Sequence, residues 1–285
     1  DFSSEKFTIE QKRWLLNLHK INYKKQKRVF SFAPHIAKKA EPGQFIETFL
    51  PKNYTFDNYI RLFSETNVIN FSRMLLNTLV IAVCTCILST FFVLSVSYCT
   101  SRLKFPLRRP YMNTALILNL FPGFMSMIAV YFILKALGMT EGDKIYLSLI
   151  ICYSSGAGVG FHVMKGYMDT IPKALDEAAM IDGCTRWQIF TKIPLPLCKP
   201  MIVYQVITAF MGPWMDFIFA KVIAGAKSQY WTVSIGLFNM LEKEYVEVWF
   251  VRFCAGAVLI SIPIAILYLL TQKMYQEAMG GAVKG

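Results

Sequence analysis

The sequence predicts an all-α membrane protein, a polytopic helical bundle, and both its composition and its patterning support this fold class. Hydrophobic residues make up 55% of the 285 residues and charged residues only 17%, whereas a soluble domain carries about 25% charged residues. The mean hydropathy is +0.41. The apolar residues are gathered into long segments without acidic or basic residues, and a helix needs about 20 such residues to cross a bilayer. A soluble globular protein and a disordered chain are therefore excluded.

Five apolar segments are the candidate membrane spans. The fourth, Met201–Met215, reaches the length of a span only if it continues through Asp216 to Ala220. The other four reach that length outright and are Met74–Ser101, Tyr111–Leu134, Ile145–Met164 and Phe253–Gln272. Glycine and proline interrupt the segments at places such as Pro122-Gly123 and Gly212-Pro213. Membrane bundles tolerate such breaks, and transporters use them as bends.

A short amphipathic helix is predicted before the first span, over residues 54–63. Thr55 or Asp57 suits the N-cap, and Tyr59, Leu62 and Phe63 follow at helical spacing. Aromatic residues accumulate at the membrane–water interface, so we expect this helix to lie at the outer interface.

The basic loop 102–110 orients the chain in the membrane. It holds four basic residues and no acidic residue, so the positive-inside rule places it in the cytoplasm. Counting spans from this loop places residues 135–144 and 226–252 outside. The same count places residues 165–199 and the C-terminal tail, 273–285, inside.

The N-terminal segment, residues 1–50, is separate from the predicted membrane domain, residues 51–285. Residues 1–39 carry ten basic and three acidic residues, a balance that favours the cytoplasm. Only one span separates them from the basic loop, which would place them outside. Two alternatives stay open: a crossing is missing from this sequence, or the segment remains outside as a basic surface.

Other classes of function lack the residues that they require. The formal net charge of +12 lies beside apolar spans, where it orients the chain rather than binding nucleic acid. The seven cysteines include no C-x-x-C pair and the three histidines are scattered, which predicts neither a metal site nor an intramembrane enzyme. No G-x-x-x-x-G-K-[ST] motif occurs, so we expect this chain to be no enzyme and to bind no ATP.

Residues 171–200, called the elbow below, lie in a predicted inner loop and predict two short helices joined by a turn. Pro172 suits the first turn of the first helix, and Gly183 suits the residue that ends it. Thr185 and Gln188 have the spacing of a capping box, which starts the second helix. The first helix carries a small apolar face formed by Ala174, Ala178 and Ile181.

The surface of the elbow predicts a protein partner. Trp187 and Phe190 lie on one face of the second helix. We expect the acidic residues Asp176, Glu177 and Asp182 to surround the small apolar face of the first helix, as at a docking site. The alternative is a helix that lies on lipid. That arrangement favours a polar face rich in Lys and Arg, whereas acidic and basic residues are nearly balanced here.

The elbow also matches a known signature. Glu177-Ala178-Ala179, Gly183 and the group Ile193, Leu195 and Pro196 fit the pattern E-A-A-x3-G-x9-I-x-L-P, which resembles the EAA motif of ABC importer permeases. Segments elsewhere resemble the MalG-like permease subunits of carbohydrate importers; they include Lys165-Gly166-Tyr167, residues 57–63, Asn77-Thr78 and residues 280–285. The resemblance extends from Pro51 to Gly285. That family has six transmembrane helices, of which the first is not recognisable here.

The resemblance implies a function and a set of partners. The chain would be the transmembrane permease subunit of an ATP-driven importer in the bacterial cytoplasmic membrane. Its substrate would be a carbohydrate, an oligosaccharide such as maltodextrin, delivered by a sugar-binding protein. It would pair with a second homologous permease and with two ATPase subunits, which bind ATP and Mg²⁺. The alternatives are an ABC permease for a non-sugar solute and a subunit of an ion or solute channel.

The resemblance also implies roles for individual residues. The elbow would be the coupling helix, which docks in a cleft of an ATPase subunit. Its contact residues would be Glu177, Ala178, Ala179, Asp182, Gly183, Trp187 and Phe190. The tail would reach between the ATPase subunits through Gly280, Gly281 and Lys284.

Polar residues within the spans are candidates for the translocation path. They are Asn77, Asn119, Gln205 and Asp216. Polar groups at membrane depth either line such a path or form hydrogen bonds between helices, and both alternatives stay open. Asp216 and Lys221 flank the outer end of the fourth segment, either as a gating contact or as a structural pair.

Overall fold

The computed structural model describes residues 56–64, 69–120, 123–155, 158–242 and 246–282. Within these ranges every regular element is a helix, which confirms the all-α prediction. The chain divides into two units, Asp1–Phe56 and Asp57–Gly285, and the described helices all belong to the second unit. The predicted basic segment 1–50, together with Thr55 and Lys284, lies outside the described residues.

The helices are numbered in chain order. They are α1 Asp57–Ser64, α2 Phe71–Arg102, α3 Arg108–Asn119, α4 Gly123–Ala136, α5 Lys144–Ser155, α6 Gly158–Thr170, α7 Lys173–Ile181, α8 Arg186–Lys192, α9 Pro194–Leu197, α10 Lys199–Met215, α11 Ile218–Ala224, α12 Val233–Glu242 and α13 Val246–Ala282. A 3₁₀ turn, Ser228–Tyr230, lies between α11 and α12.

Helix α2 is the centre of the bundle and packs against α5, α6, α10 and α12. Asn70 caps its first turn by accepting a hydrogen bond from the Arg73 N–H at 3.0 Å. Small residues recur along its buried side at helical spacing, namely Thr78, Ala82, Thr85, Ser89, Val93, Ser97 and Ser101. Small side chains let neighbouring helices approach closely where lipid offers no hydrophobic driving force.

Glycine supports the same close packing from the neighbouring helix. A Cβ atom at Gly160 in α6 would lie 2.8 Å from Oε1 of Gln205 in α10. The Nε2 group of Gln205 donates a hydrogen bond to Ser89 Oγ in α2 at 3.0 Å. One polar contact therefore joins α2 and α10 beside Gly160 of α6.

The five predicted spans lie at the upper end of the number that the described helices allow. In the described residues three helical stretches are long and apolar enough to cross a membrane: α2, residues 144–170 and residues 249–272. The number rises to five when each of two bent helix pairs counts as one span.

Two of the predicted spans differ from the observed helices. The predicted span Tyr111–Leu134 consists of α3 and α4, whose axes differ by 105°. The fourth segment does not continue as one helix through Asp216 to Ala220, because α10 ends at Met215. The Asp216 carboxylate accepts hydrogen bonds from the backbone N–H groups of Phe219 and Ala220. Asp216 therefore starts a new helix, α11, rather than continuing the old one.

The first helix, α1, begins at Asp57, near the start predicted for the amphipathic segment. Leu62 is buried, Tyr59 is half-buried, and the helix packs against α13. The Phe63 ring meets the Phe71 ring edge-on at 5.6 Å. The predicted position at the outer interface stays a prediction.

The two predicted outer loops meet at one end of the bundle. Lys227 Nζ donates a hydrogen bond to the Thr140 carbonyl at 3.0 Å, and the Tyr230 hydroxyl donates to Asp143 Oδ1 at 3.1 Å. Burial and the bond to Asp143 raise the pKa of Tyr230, so its hydroxyl keeps the proton that it donates. The elbow and the basic loop 102–110 lie together at Arg102, the other end of α2. This arrangement agrees with the predicted topology.

We expect cysteine labelling to place these two ends on opposite sides of the membrane. The variants Phe105→Cys, Glu141→Cys and Arg186→Cys are made in a chain whose native cysteines are replaced, and all three positions are exposed. A membrane-impermeant maleimide added to sealed cells should label position 141 and leave positions 105 and 186 unlabelled. Lysed cells provide the control, since all three positions should then react. Labelling of position 186 in sealed cells would contradict the topology.

Candidate coupling site

The first helix of the elbow, α7, ends in a turn that requires glycine. Gly183 has φ +79°, a left-handed conformation that costs other residues free energy. Its N–H donates to the Met180 carbonyl at 3.1 Å, and the Cys184 N–H donates to the Ala179 carbonyl at 2.9 Å. These two bonds form a Schellman motif, which satisfies carbonyl groups at the helix end. The predicted stop at Gly183 is confirmed, while Pro172 occupies the N-cap rather than the first turn.

The second helix, α8, begins with the predicted capping box. The Gln188 N–H donates to Thr185 Oγ1 at 3.3 Å, and the Thr185 N–H donates to Gln188 Oε1 at 2.8 Å. These reciprocal bonds satisfy two backbone donors at the start of the helix. Helix α8 ends at Lys192, and Pro194 begins the short helix α9.

A buried ion pair fastens the elbow to α2. Arg102 Nε lies 3.1 Å from Asp176 Oδ2, and the two side chains are only 3% and 7% exposed. The Nη2 group of Arg102 also donates to the Ile171 carbonyl at 3.0 Å. The last residue of α2 therefore holds both the chain entering the elbow and the first elbow helix.

Asp176 is not part of the exposed surface, and the expectation that it surrounds the apolar face was wrong. An α-helix turns by about 100° per residue. Asp176 is therefore on the side of α7 opposite to Ala174, Ala178 and Ile181, and that side faces α2. The Asp176 carboxylate attaches α7 to α2 and does not lie on the face that would contact a partner protein.

An aromatic contact also attaches the elbow to α2. The Phe190 ring lies 4.7 Å from the Tyr98 ring of α2, and the Tyr98 hydroxyl donates to the Arg186 carbonyl at 3.4 Å. Phe190 is half-buried against a cluster that includes Tyr98, Ile171 and Cys198. Phe190 thus contributes to the attachment of the elbow, whereas the sequence analysis grouped it with Trp187 as a contact for the ATPase subunit.

The outward face of the elbow combines apolar and acidic groups. Trp187 is 67% exposed and Ile181 is 87% exposed. Ala179 is half-buried, and the remaining predicted contact residues are exposed, namely Glu177, Ala178, Asp182 and Gly183. Ile181 was not among the predicted contact residues, although its place on the small apolar face could have indicated it.

Three of the polar residues within the spans form hydrogen bonds between elements. Asn77 Nδ2 donates to the Gln229 and Trp231 carbonyls, and Asn77 accepts from the Tyr146 hydroxyl at 2.7 Å. Gln205 bonds to Ser89 as described above. Asp216 accepts from the Tyr153 hydroxyl at 2.6 Å.

Asn119 lines a cavity, and Lys221 contacts an aromatic ring. Asn119 is exposed and lines a largely apolar cavity of about 700 Å³ between α2, α3, α5 and α6. Lys221 Nζ lies 4.2 Å from the centre of the Trp231 ring rather than beside Asp216. The structure does not bring the four candidate path residues together, and their role in translocation stays a prediction. Gly280 and Gly281 lie within α13.

The sequence of this chain matches one family over most of its length. The profile described as "Binding-protein-dependent transport system inner membrane component" matches residues 92–279, which include the whole elbow. The chain belongs to this family. It is therefore a multi-pass component of a transport system in the cytoplasmic membrane, a permease rather than an enzyme.

Individual permeases also match most of this chain. The galactooligosaccharides transport system permease protein GanQ of Bacillus subtilis is 34% identical over 238 residues, covering 83% of this chain and 82% of GanQ. The maltodextrin transport system permease protein MdxG of the same organism is 32% identical, covering 82% of each chain. MalG of Salmonella typhimurium, a maltose/maltodextrin permease, is 31% identical, covering 66% of this chain and 64% of MalG.

A solved structure shares the fold. It is the crystal structure of a bacterial ABC transporter involved in the import of the acidic polysaccharide alginate. The TM-score is 0.67, with 17% identity, and the match covers 95% of this chain and 99% of that chain. At this identity the likeness concerns the fold alone.

The ion pair gives a prediction for stability. Asp176→Ala would leave the Arg102 guanidinium buried without its partner, and removing one partner of a buried pair costs about 3–5 kcal/mol. We expect faster hydrogen exchange across α7 and α8 and a lower unfolding temperature in detergent.

Two further variants separate the pair from a general effect of substitution. Asp182→Ala removes an exposed carboxylate from the same elbow and should change stability by less than about 0.5 kcal/mol. Arg102→Met with Asp176→Leu removes both charges and should recover most of the lost stability. If Asp176→Ala and Asp182→Ala behave alike, the buried pair does not hold the elbow.

Proposed function

We propose that this chain is the permease subunit of an ATP-driven importer that carries an oligosaccharide, such as a maltodextrin, across the cytoplasmic membrane. The observation that carries the proposal is the elbow, a pair of short helices that is attached to α2 by a buried ion pair and presents an exposed apolar and acidic face. The permeases named for galactooligosaccharides, maltodextrin and maltose support a carbohydrate substrate. A sugar-binding protein would deliver that substrate.

The proposal includes the other subunits of the importer. A second homologous permease would complete the translocation path, and two ATPase subunits would bind ATP and Mg²⁺. This chain would bind neither. The C-terminal end, with Gly280, Gly281 and Lys284, would reach between the ATPase subunits.

In this proposal the elbow converts closure of the ATPase subunits into movement of the spans. Trp187 and Ile181 would enter a cleft of one ATPase subunit, and Glu177 would form a charge-assisted contact at the edge of the cleft. The Arg102–Asp176 pair would pass the displacement to the end of α2. Because α2 packs against α5, α6 and α10, those helices would move with it as a body.

Transport in vesicles tests the proposed function. The chain is purified with the subunits that accompany it and is reconstituted with its binding protein, and uptake of radiolabelled maltodextrins and galactooligosaccharides is measured. We expect uptake that needs both ATP on the ATPase side and the binding protein on the other side. Sugar uptake without ATP would indicate a channel, and ATP hydrolysis without uptake of any of these sugars would indicate an importer for another solute. Either result would contradict the proposal.

Gly183 gives a prediction for coupling. A β-branched residue cannot easily adopt φ near +79°, so Gly183→Val should distort the turn between α7 and α8. We expect assembly to persist while sugar-stimulated ATP hydrolysis falls at least tenfold. The measurement is ATP hydrolysis by the purified importer with and without loaded binding protein.

The chain offers a matched control for this variant. Gly166, like Gly183, has open space where a Cβ atom would be added, but it has no left-handed φ. Gly166→Val should therefore retain coupling, and Gly183→Asn should retain more coupling than Gly183→Val because Asn tolerates the left-handed region. Full coupling in Gly183→Val would contradict the proposed role of the Gly183 turn in coupling.

The two aromatic residues of α8 should act differently. Trp187 is exposed, so Trp187→Ala should weaken binding of the ATPase subunits by about 30-fold, equivalent to about 2 kcal/mol, and leave the elbow in place. Phe190→Ala should loosen the elbow by removing its contact with Tyr98. Co-purification of the ATPase at dilution measures the first effect, and hydrogen exchange of α8 measures the second. Unchanged ATPase binding in Trp187→Ala would exclude this face as the dock.

A further inference from the structure

Two concave surfaces of opposite chemistry adjoin at the cytoplasmic end of α2. The first, of about 410 Å³, is lined by Lys104, Phe105, Pro106, Arg108 and Arg109. The second, of about 450 Å³, is almost wholly apolar and runs along α2 past Val96 and Cys99. The two surfaces share Phe105.

The first surface is strongly cationic, and its three basic residues form no ion pair within the described part of the chain. The ion pairs among the described residues are Arg102–Asp176 and Lys165–Asp169, and neither involves Lys104, Arg108 or Arg109. Among the described residues Asp169 is a carboxylate near Arg108, but it already accepts hydrogen bonds from Ser101 and Lys165. Helix α3 starts at Arg108, and its N-cap, Leu107, supplies no side-chain acceptor. The helix dipole therefore adds to the attraction for an anion.

The second surface lies along α2, a helix that we expect lipid acyl chains to surround. Its floor is formed by Ser95, Val96 and Cys99 of α2, a helix that is long and apolar enough to cross a membrane. Its walls include Leu107, which is 69% exposed, and Tyr111, which is 45% exposed. Exposed apolar side chains next to arginine and lysine are typical of the membrane interface. Such a surface can contact both the acyl chain and the charged headgroup of a lipid.

We propose that these adjoining surfaces form a binding site for one anionic glycerophospholipid of the cytoplasmic leaflet. The phosphate headgroup would contact Lys104, Arg108 and Arg109, and one acyl chain would follow the apolar groove past Cys99. Basic pockets beside transmembrane helices on the cytoplasmic side suit anionic headgroups. A free phosphate would use only the first surface, and an acidic protein surface would not enter a groove along a membrane span. The lipid is the ligand that uses both.

Native mass spectrometry of the full-length chain, purified in detergent with the subunits that accompany it, tests the proposal. The probes are dioleoyl phosphatidylglycerol, dioleoyl phosphatidylcholine and glycerol 3-phosphate. We expect one phosphatidylglycerol to bind at least tenfold more tightly than phosphatidylcholine. Lys104→Gln with Arg109→Gln should weaken its binding about 30-fold, as expected from the loss of two cations near a membrane surface.

The matched control removes the same charge from the opposite end. Lys135→Gln with Lys144→Gln also replaces two exposed basic residues, and it should leave phosphatidylglycerol binding unchanged. A second variant, Cys99→Trp, fills the apolar groove and should weaken phosphatidylglycerol binding without affecting the headgroup surface. Both double variants change exposed residues, so neither is expected to unfold the chain.

The remaining outcomes would overturn the proposal. Equal binding of phosphatidylcholine, or equal loss of binding in the two double variants, would mean that no anion-specific site exists here. Displacement of phosphatidylglycerol by an equal concentration of glycerol 3-phosphate would indicate a site for a free phosphate. Loss of accompanying subunits from Lys104→Gln with Arg109→Gln, with lipid binding unchanged, would indicate a protein contact. The lipid measurement does not depend on transport, so it stands apart from the proposed function.

Discussion

The ion pair between Arg102 and Asp176 determines how the elbow sits on the helical bundle. Both charges are almost fully buried, and taking each from water costs several kcal/mol that only close pairing and further hydrogen bonds can offset. The pair therefore favours one position of α7 over any in which either charge is left alone. Since Arg102 is the last residue of α2, the position of the elbow is tied to the most contacted helix of the bundle.

The local features of the elbow act together with this anchor. The Gly183 turn and the Thr185–Gln188 capping box fix α7 and α8 relative to each other with short-range hydrogen bonds. Phe190 then packs α8 on Tyr98 of the same long helix. A force applied at Trp187 therefore meets a rigid unit with two attachments to α2. The chain belongs to a transport family, and this unit has an exposed face. Both observations support the proposal that the elbow couples the ATPase subunits to the spans.

Features set by neighbouring residues were predictable, and features set by distant contacts were not. Runs of apolar residues predicted the spans, and the Gly183 stop and the capping box involve residues only a few positions apart. Arg102 and Asp176 are far apart in sequence, so nothing local indicated their pairing, although helical periodicity alone places Asp176 opposite the apolar face. The burial of Phe190 depends on Tyr98 in the same way. The end of α10 is the exception, because it is set locally and was still missed: the Asp216 carboxylate accepts hydrogen bonds from N–H groups three and four residues later and so caps α11.

The most direct test of this account is whether the elbow and α2 move as one body. Spin labels at Phe91 on α2 and Leu175 on α7, both exposed, report the distance between the two elements by electron–electron double resonance in the assembled importer. The account predicts the same narrow distance distribution in the nucleotide-free and ATP-bound states. A distribution that shifts when ATP binds would show that the elbow moves independently of α2, and it would contradict the account.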